Sequence, residues 1–279
     1  MSTATAAVQQ HPHSSLGRLS FPRVVRSEWI KLRSLRSTFW TLVAVVVIVV
    51  GLAALLSAVV PNASTLGAQV PPAQLADFVT NTATSGLMFA QLVVAVLGVL
   101  VISGEFSTGM IRSSFAAVPR RFPVLAAKAI VLFLTSFIVG LVSIAISWAI
   151  AVPMLTGKGY TGDLFTQDTL WAILGAALYL GLVAVFALGI GTIVKASAGG
   201  IAAALGVLFL LPILASLFGN LMNQKWVTDA SHYLISNAGT GMSGGTNGTL
   251  EPWANVVTVL VWAAVSFILG AILLQRRDA

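Results

Sequence analysis

The chain has 279 residues, 57% of them hydrophobic and only 8% charged, with a mean hydropathy of +0.96. A soluble domain carries charge on about a quarter of its residues, so that class is excluded and an all-α polytopic membrane protein is indicated. The absence of cysteine rules out disulfides and thiolate metal sites. The formal charge of +7 reads as basic loops beside a membrane rather than as a nucleic-acid footprint.

Residues 1–20 are rich in Ser, Thr, Ala, Gln and His without an apolar period, and are expected to form a disordered tail. His11 and His13 flank Pro12, but two neighbouring imidazoles alone do not make a metal site. From residue 21 to 279 the pattern is that of a single membrane domain. Residues 22–37 read as a basic amphipathic helix lying in the interface plane. Pro22 suits a first turn. Val25, Trp29 and Leu32 share one face, and Arg23, Arg26, Lys31 and Arg33 lie mostly on the other.

Six apolar runs follow, at about Phe39–Val60, Gly86–Ser103, Ala126–Val152, Leu170–Val194, Ala196–Phe218 and Trp253–Leu274. Each is long enough, at 1.5 Å per residue, to cross a hydrocarbon core of ~30 Å. Only a very tight turn at Lys195–Ser197 can join the fourth to the fifth, and Pro212 should kink the fifth. Ser136, Ser143 and Ser147 in the third span either line a polar path or bond neighbouring carbonyls, and the second is the ordinary outcome. Ala187/Gly191 and Gly199/Ala203 have the spacing that permits close helix contact.

The basic residues divide unequally. Arg18, Arg23, Arg26, Lys31, Arg33 and Arg36 precede the first span, and Arg112, Arg120, Arg121 and Lys128 lie between the second and third. Lys195, Arg276 and Arg277 fall on the same side, leaving only Lys158 and Lys225 on the other. The positive-inside rule places both termini and the 104–128 loop in the cytoplasm. The acidic residues lie in loops, tails or span edges, which argues against an ion-coupled carrier with a midplane carboxylate.

Loop 104–128, GEFSTGMIRSSFAAVPRRFPVLAAK, is the richest in basic groups. Thr108 is placed to cap a helix over about Gly109–Val118, which Pro119 ends. Ile111, Phe115 and Val118 share its apolar face. A helix of about three turns does not hold itself together in water and needs a surface. Glu105 can serve exposed amides or a basic partner. Gly109 permits a turn, Phe115 is the natural plug for a partner's groove, and Arg112 and Arg120 offer directional charge pairs. On the far side, loop 219–252 is long, with Trp226, Ala230 and Tyr233–Leu234 at helical spacing, and is expected to close the outer end of a path with Trp226 and Tyr233 as gate residues.

Several chemistries are missing. There is no GxxxxGK[ST] phosphate loop, so the chain is not expected to hydrolyse ATP by itself. Gly241-Met-Ser243-Gly has the form of a serine nucleophile motif, but no His follows it in the last span, and a satisfied surface His is the ordinary reading of His232.

The segment SEWIKLRS, six spans, and a loop carrying Glu-Phe-x-x-Gly, then Val-Pro-Arg-Arg, then Ala-Lys, resemble the permease subunits of bacterial type-2 ATP-binding-cassette exporters from Arg26 onward. The resemblance implies an N-terminal helix on the inner membrane face, a coupling helix in the second–third loop docking on a separate ATPase, and short outer helices in the fifth–sixth loop. It makes Glu105, Gly109, Arg112, Pro119, Arg120 and Lys128 the coupling-loop positions. It also implies a dimer of permeases in the bacterial cell membrane, with ATP and Mg bound by the partner ATPase and no cofactor on this chain. The alternatives are an ion-gradient carrier or channel-like protein, and a membrane scaffold. A neighbouring gene for a lone ATPase would decide for the first reading.

Overall fold

The computed structural model describes residues 20–66, 72–110, 121–160, 167–222, 225–244 and 250–276. Among these all regular structure is helical, and six helical stretches are long and apolar enough to cross a membrane.

Helix α1 (Phe21–Ser34) starts with Pro22 in its first turn and ends with Lys31 and Arg33 in its last, where cations offset the exposed carbonyls. One extended residue, Leu35, separates it from the first span, α2 (Arg36–Val59). A short 3-10 turn (Ala63–Leu66) leads towards α3 (Pro72–Thr84), which breaks briefly at Ser85–Gly86 before α4 (Leu87–Ser107). Together α3 and α4 form the second crossing. Leu75–Ser107 runs for 33 residues, or about 50 Å at the helical rise, well beyond a ~30 Å core. The third span, α5 (Arg121–Thr156), is longer still at 36 residues. These two elements extend past the bilayer at the same end, where Phe78 of α3 stacks on Tyr160 with ring centroids 5.0 Å apart. Residues 61–85 fall between two apolar runs of the sequence, and the structure places α3 among them.

The fourth span, α6 (Gln167–Val194), is the hub. Its most apolar window is 67% buried, and it packs on α4, α5 and the sixth span, α11 (Pro252–Arg276). The approach depends on small residues, as the spacing of Ala187 and Gly191 predicts: a Cβ on Gly191 would meet Val99 and Ile102 of α4. The tight turn to the fifth span is made by Lys195, at φ 60. Its ammonium lies 5.2 Å from the Phe106 ring centroid, and Ser197 bonds Ser103 at 2.9 Å, tying the turn to the end of α4.

The fifth span consists of α7 (Ser197–Leu205), a π turn (Gly206–Leu210) and α8 (Leu211–Met222). The irregularity expected from Pro212 takes the form of this π turn. Proline has no amide hydrogen and its ring crowds the carbonyl four residues back, and a wider turn accommodates both. Only 11% of this span's window is buried, so in one copy of the chain it is peripheral. Ser143 and Ser147 donate to Val139 and Ser143 carbonyls at 2.7 and 3.0 Å, whereas the buried Ser136 hydroxyl has no partner among the described residues.

Between the fifth and sixth spans, α9 (Lys225–Ser231) buries nothing, but α10 (Ile235–Met242) re-enters the bundle. Ile235, Ala238 and Met242 are buried, and α10 rests on α6 and α11. The contact is backbone-close. A Cβ on Gly239 would lie 2.1 Å from the Tyr179 ring, and one on Gly175 would lie 1.9 Å from the Met242 carbonyl oxygen. Tyr179 itself is fully enclosed and donates its hydroxyl to Gln91 of α4.

Gly175→Leu is therefore expected to destabilise the purified protein by about 1–3 kcal/mol, the ordinary cost of overpacking. It should lower the thermal unfolding midpoint in detergent. Gly51→Leu, at a position with nothing within 4 Å, should leave it unchanged; equal midpoints would mean that α10 does not rest on the fourth span.

Candidate coupling site at the basic end

Apart from Lys158 and Lys225, the described basic residues gather at one end of the bundle, where α1, the end of α4 and the start of α5 meet. Van der Waals contact sets the approach of α1: Val24 packs with Val124 and Ala127 of α5 in a small apolar cluster. The packed face of α1 is Val24, Glu28 and Leu32, not the Val25, Trp29 and Leu32 face expected from the sequence. Trp29 remains 45% exposed while Glu28 is turned into the bundle.

The reason is electrostatic. Lys128, seven residues into α5 and 3% exposed, would be a costly buried cation without partners. Its ammonium meets Glu28 Oε2 at 2.5 Å and Glu105 Oε1 at 2.9 Å. Lys31, one turn along α1 from Glu28, bridges the same two acids, at 2.6 Å to Glu28 Oε1 and 3.3 Å to Glu105 Oε1. Two carboxylates and two ammoniums thus form a neutral cluster drawn from three helices. Glu28 uses both oxygens, but Glu105 uses one for both lysines. Its Oε2 is buried and has no partner among the described residues. A cavity of about 270 Å³, lined in part by Glu105, Lys128, Thr108 and Met110, adjoins the cluster.

Burial pulls the Lys31 ammonium down, but the hydrogen bond to Glu28 and the charges of Glu105 and Glu28 together hold its pKa above the ordinary 10.5. A group raised in this way stabilises the fold below its ordinary value and loses that contribution only as pH rises through the raised one. Lys31 therefore stays charged through the neutral range and is no switch there.

The predicted coupling residues divide into two sets. Glu105 and Lys128 are not presented to the surface. They join each other and so close the base of the loop between them. Gly109 adopts φ 70, the left-handed turn that favours glycine. Thr108 ends the preceding helix: its hydroxyl donates to the Gly104 carbonyl at 2.8 Å and its backbone closes α4. Arg112, Phe115, Pro119 and Arg120, with residues 111–118 of the helix expected over Gly109–Val118, lie outside the described residues. At the opposite end, Trp226 and Tyr233 are exposed, at 68% and 56%. The Tyr233 carbonyl accepts from the Trp262 indole at 2.9 Å. Ser243 is buried and donates to the Thr240 carbonyl at 2.8 Å.

Sequence reasoning missed Glu28 and Lys31 as site residues. One signal was available: Lys128 falls inside the third apolar run, and an ionisable group there demands a partner.

The model of the ABC-2 family transporter protein family matches residues 24–210, about two thirds of the chain. This chain belongs to that family. The match begins in α1, takes in every residue of the four-charge cluster and ends at the π turn of the fifth span. A search of curated proteins finds no match. With six apolar helices, the ABC-2 transporter is a multi-pass membrane protein of the ABC permease type.

Removing one member of a buried ion cluster leaves the others uncompensated, at a cost of about 3–5 kcal/mol. In the cysteine-free background, Val24→Cys should react slowly with a maleimide. Adding Lys128→Met should raise the rate several-fold as α1 loosens, while Arg26→Met, on the exposed side of the same helix, should not. Equal rates with and without Lys128 would show that the cluster does not hold α1.

Proposed function

We propose that this ABC-2 permease forms part of an export path and couples it to ATP hydrolysed, with Mg, by a separate ATPase subunit that docks on the 104–128 loop. The observation that carries this reading is the ion cluster at the base of that loop. A loop that only connects two spans needs no such fixture. A loop that receives force needs ends that do not move independently, and here Glu105 and Lys128 bind each other and share the two charges of α1. A push on the loop is then delivered to α1 and to the second and third spans as one body. The unpaired Glu105 oxygen is an acceptor for a donor from the loop or from the partner. The lack of a phosphate loop in the sequence supports an external motor.

On this reading the basic end is cytoplasmic, both termini lie there, and the membrane is the bacterial cell membrane. Phe115 fills a groove on the ATPase, with Arg112 and Arg120 pairing at its rim, Gly109 setting the entry turn and Pro119 the exit. Two permease copies form the path, which would cover part of the exposed fifth span. Trp226 and Tyr233 then act at the outer mouth.

The test uses the permease co-expressed with an ABC ATPase subunit from the same genome. The permease alone should hydrolyse no ATP, and the ATPase should co-purify with the wild type and be lost with Phe115→Ala or Arg112→Lys. Single cysteines at Thr65 and Thr246 should react with an impermeant reagent in intact cells, and one at Ser113 should not. In the complex, ATP should change the labelling rate at Thr246→Cys. Lys128→Met should keep ATP hydrolysis and lose that change. Labelling of Ser113→Cys from outside would overturn the orientation, and an unaltered response in Lys128→Met would overturn the coupling role of the cluster.

A further inference from the structure

At the end opposite the ion cluster, α3, α5, α6, α10 and α11 enclose a cavity of about 1470 Å³ that opens to the surface. Its lining is graded. Asp77 on α3 and Asp168 at the start of α6 stand at the rim with Trp171 and Trp253, whose rings are largely exposed. Farther along the spans the wall is Trp148, Leu174, Leu178 and Val256. Leu178 lies ten residues beyond Asp168 on one helix, so the cavity runs about 15 Å inward from its rim.

The rim carries negative charge that nothing among the described residues neutralises. Among the described residues no Lys, Arg or His lines the cavity, and neither Asp77 nor Asp168 has an ion-pair partner. The nearest candidate by position, Lys158, is committed elsewhere. Its ammonium donates to the carbonyls of Ser57, Ala58 and Val60 at 2.8, 2.7 and 2.7 Å, completing the end of α2. Asp168 alone could be explained as an acid at a helix start, but Asp77 lies within the second turn of α3, where that explanation fails. Carboxylates beside indole faces make a site for a cation, by charge and by attraction to the aromatic ring. The second observation is inside. Trp148 is 3% exposed, and its indole N–H has no acceptor among the described residues. A buried donor left unmade is unfavourable, and a ligand oxygen would satisfy it.

We infer that this cavity binds an amphiphile with a cationic head at Asp77 and Asp168, an oxygen acceptor within reach of Trp148 and an apolar tail against Leu174, Leu178 and Val256. That the cavity faces away from the cytoplasm rests on the coupling proposal; its ligand chemistry does not, and the experiment reads binding alone. The same chemistry is offered by an ethanolamine lipid and by a free cationic amphiphile.

Lauroylcholine, which has a quaternary head, an ester and an apolar tail, is the probe, titrated calorimetrically into the protein in phosphatidylglycerol nanodiscs against empty discs. It should bind at least tenfold more tightly than the uncharged monolaurin. Asp77→Asn with Asp168→Asn should remove that preference, as should Trp171→Leu with Trp253→Leu. Both pairs lie at the surface of the cavity mouth and should leave the unfolding midpoint unchanged. Trp148→Phe should weaken lauroylcholine several-fold but not dodecyltrimethylammonium, which has no acceptor. Adding phosphatidylethanolamine should weaken the probe if lipid is the resident ligand, and leave it unchanged if the ligand is a free amphiphile. Equal binding of lauroylcholine and monolaurin, or an undiminished preference in both paired variants, would overturn the inference.

Discussion

Four paired charges at the basic end of the bundle, three of them buried, set the geometry on which the rest of that end depends. A single lysine in the third span obliges the chain to bring carboxylates to it. Those carboxylates come from α1 and from the last turn of the second span. The desolvation cost of such a cluster is large, and it is weak evidence for stability. Its informative property is specificity. Glu28 and Lys31 are both paired at this rotation of α1, and turning the Trp29 face inward instead would take Glu28 away from Lys128 and leave it Glu105 alone.

The same cluster explains why three separated sequence features belong together. Glu28 and Lys31 stand in SEWIKLRS, Glu105 opens the Glu-Phe-x-x-Gly segment and Lys128 closes Ala-Lys. In space they are one object. The loop they bracket is tied off at its base, where Glu105 and Lys128 hold its two ends together. Buried interfaces of this kind have discrete arrangements rather than a continuum.

The opposite end is organised differently, by shape rather than charge. Small residues on the fourth span let α10 approach to backbone distance, and Tyr179 closes the contact with a hydrogen bond to the second span. The long second and third crossings rise beyond the membrane and, with α10, α6 and α11, wall the large cavity. Ion pairing at one end and close packing at the other leave the fifth span the least committed element of the bundle.

The amino-acid sequence by itself determined the class, the six spans, the end that carries the basic residues, the turn at Lys195 and the disturbance near Pro212, because hydropathy, charge asymmetry and proline sterics act locally along the chain. It also marked the 104–128 loop and a turn at Gly109. It did not reveal that Thr108 ends a helix, that residues 72–84 are helical, or that α10 is the part of the long loop that enters the bundle. Nor did it show that Glu28 is buried. A period of 3.6 residues ranks faces by apolarity, and on that measure Trp29 outweighs Glu28. Only the tertiary structure places Lys128, a hundred residues away, where the pairing of a buried cation outweighs the burial of an indole.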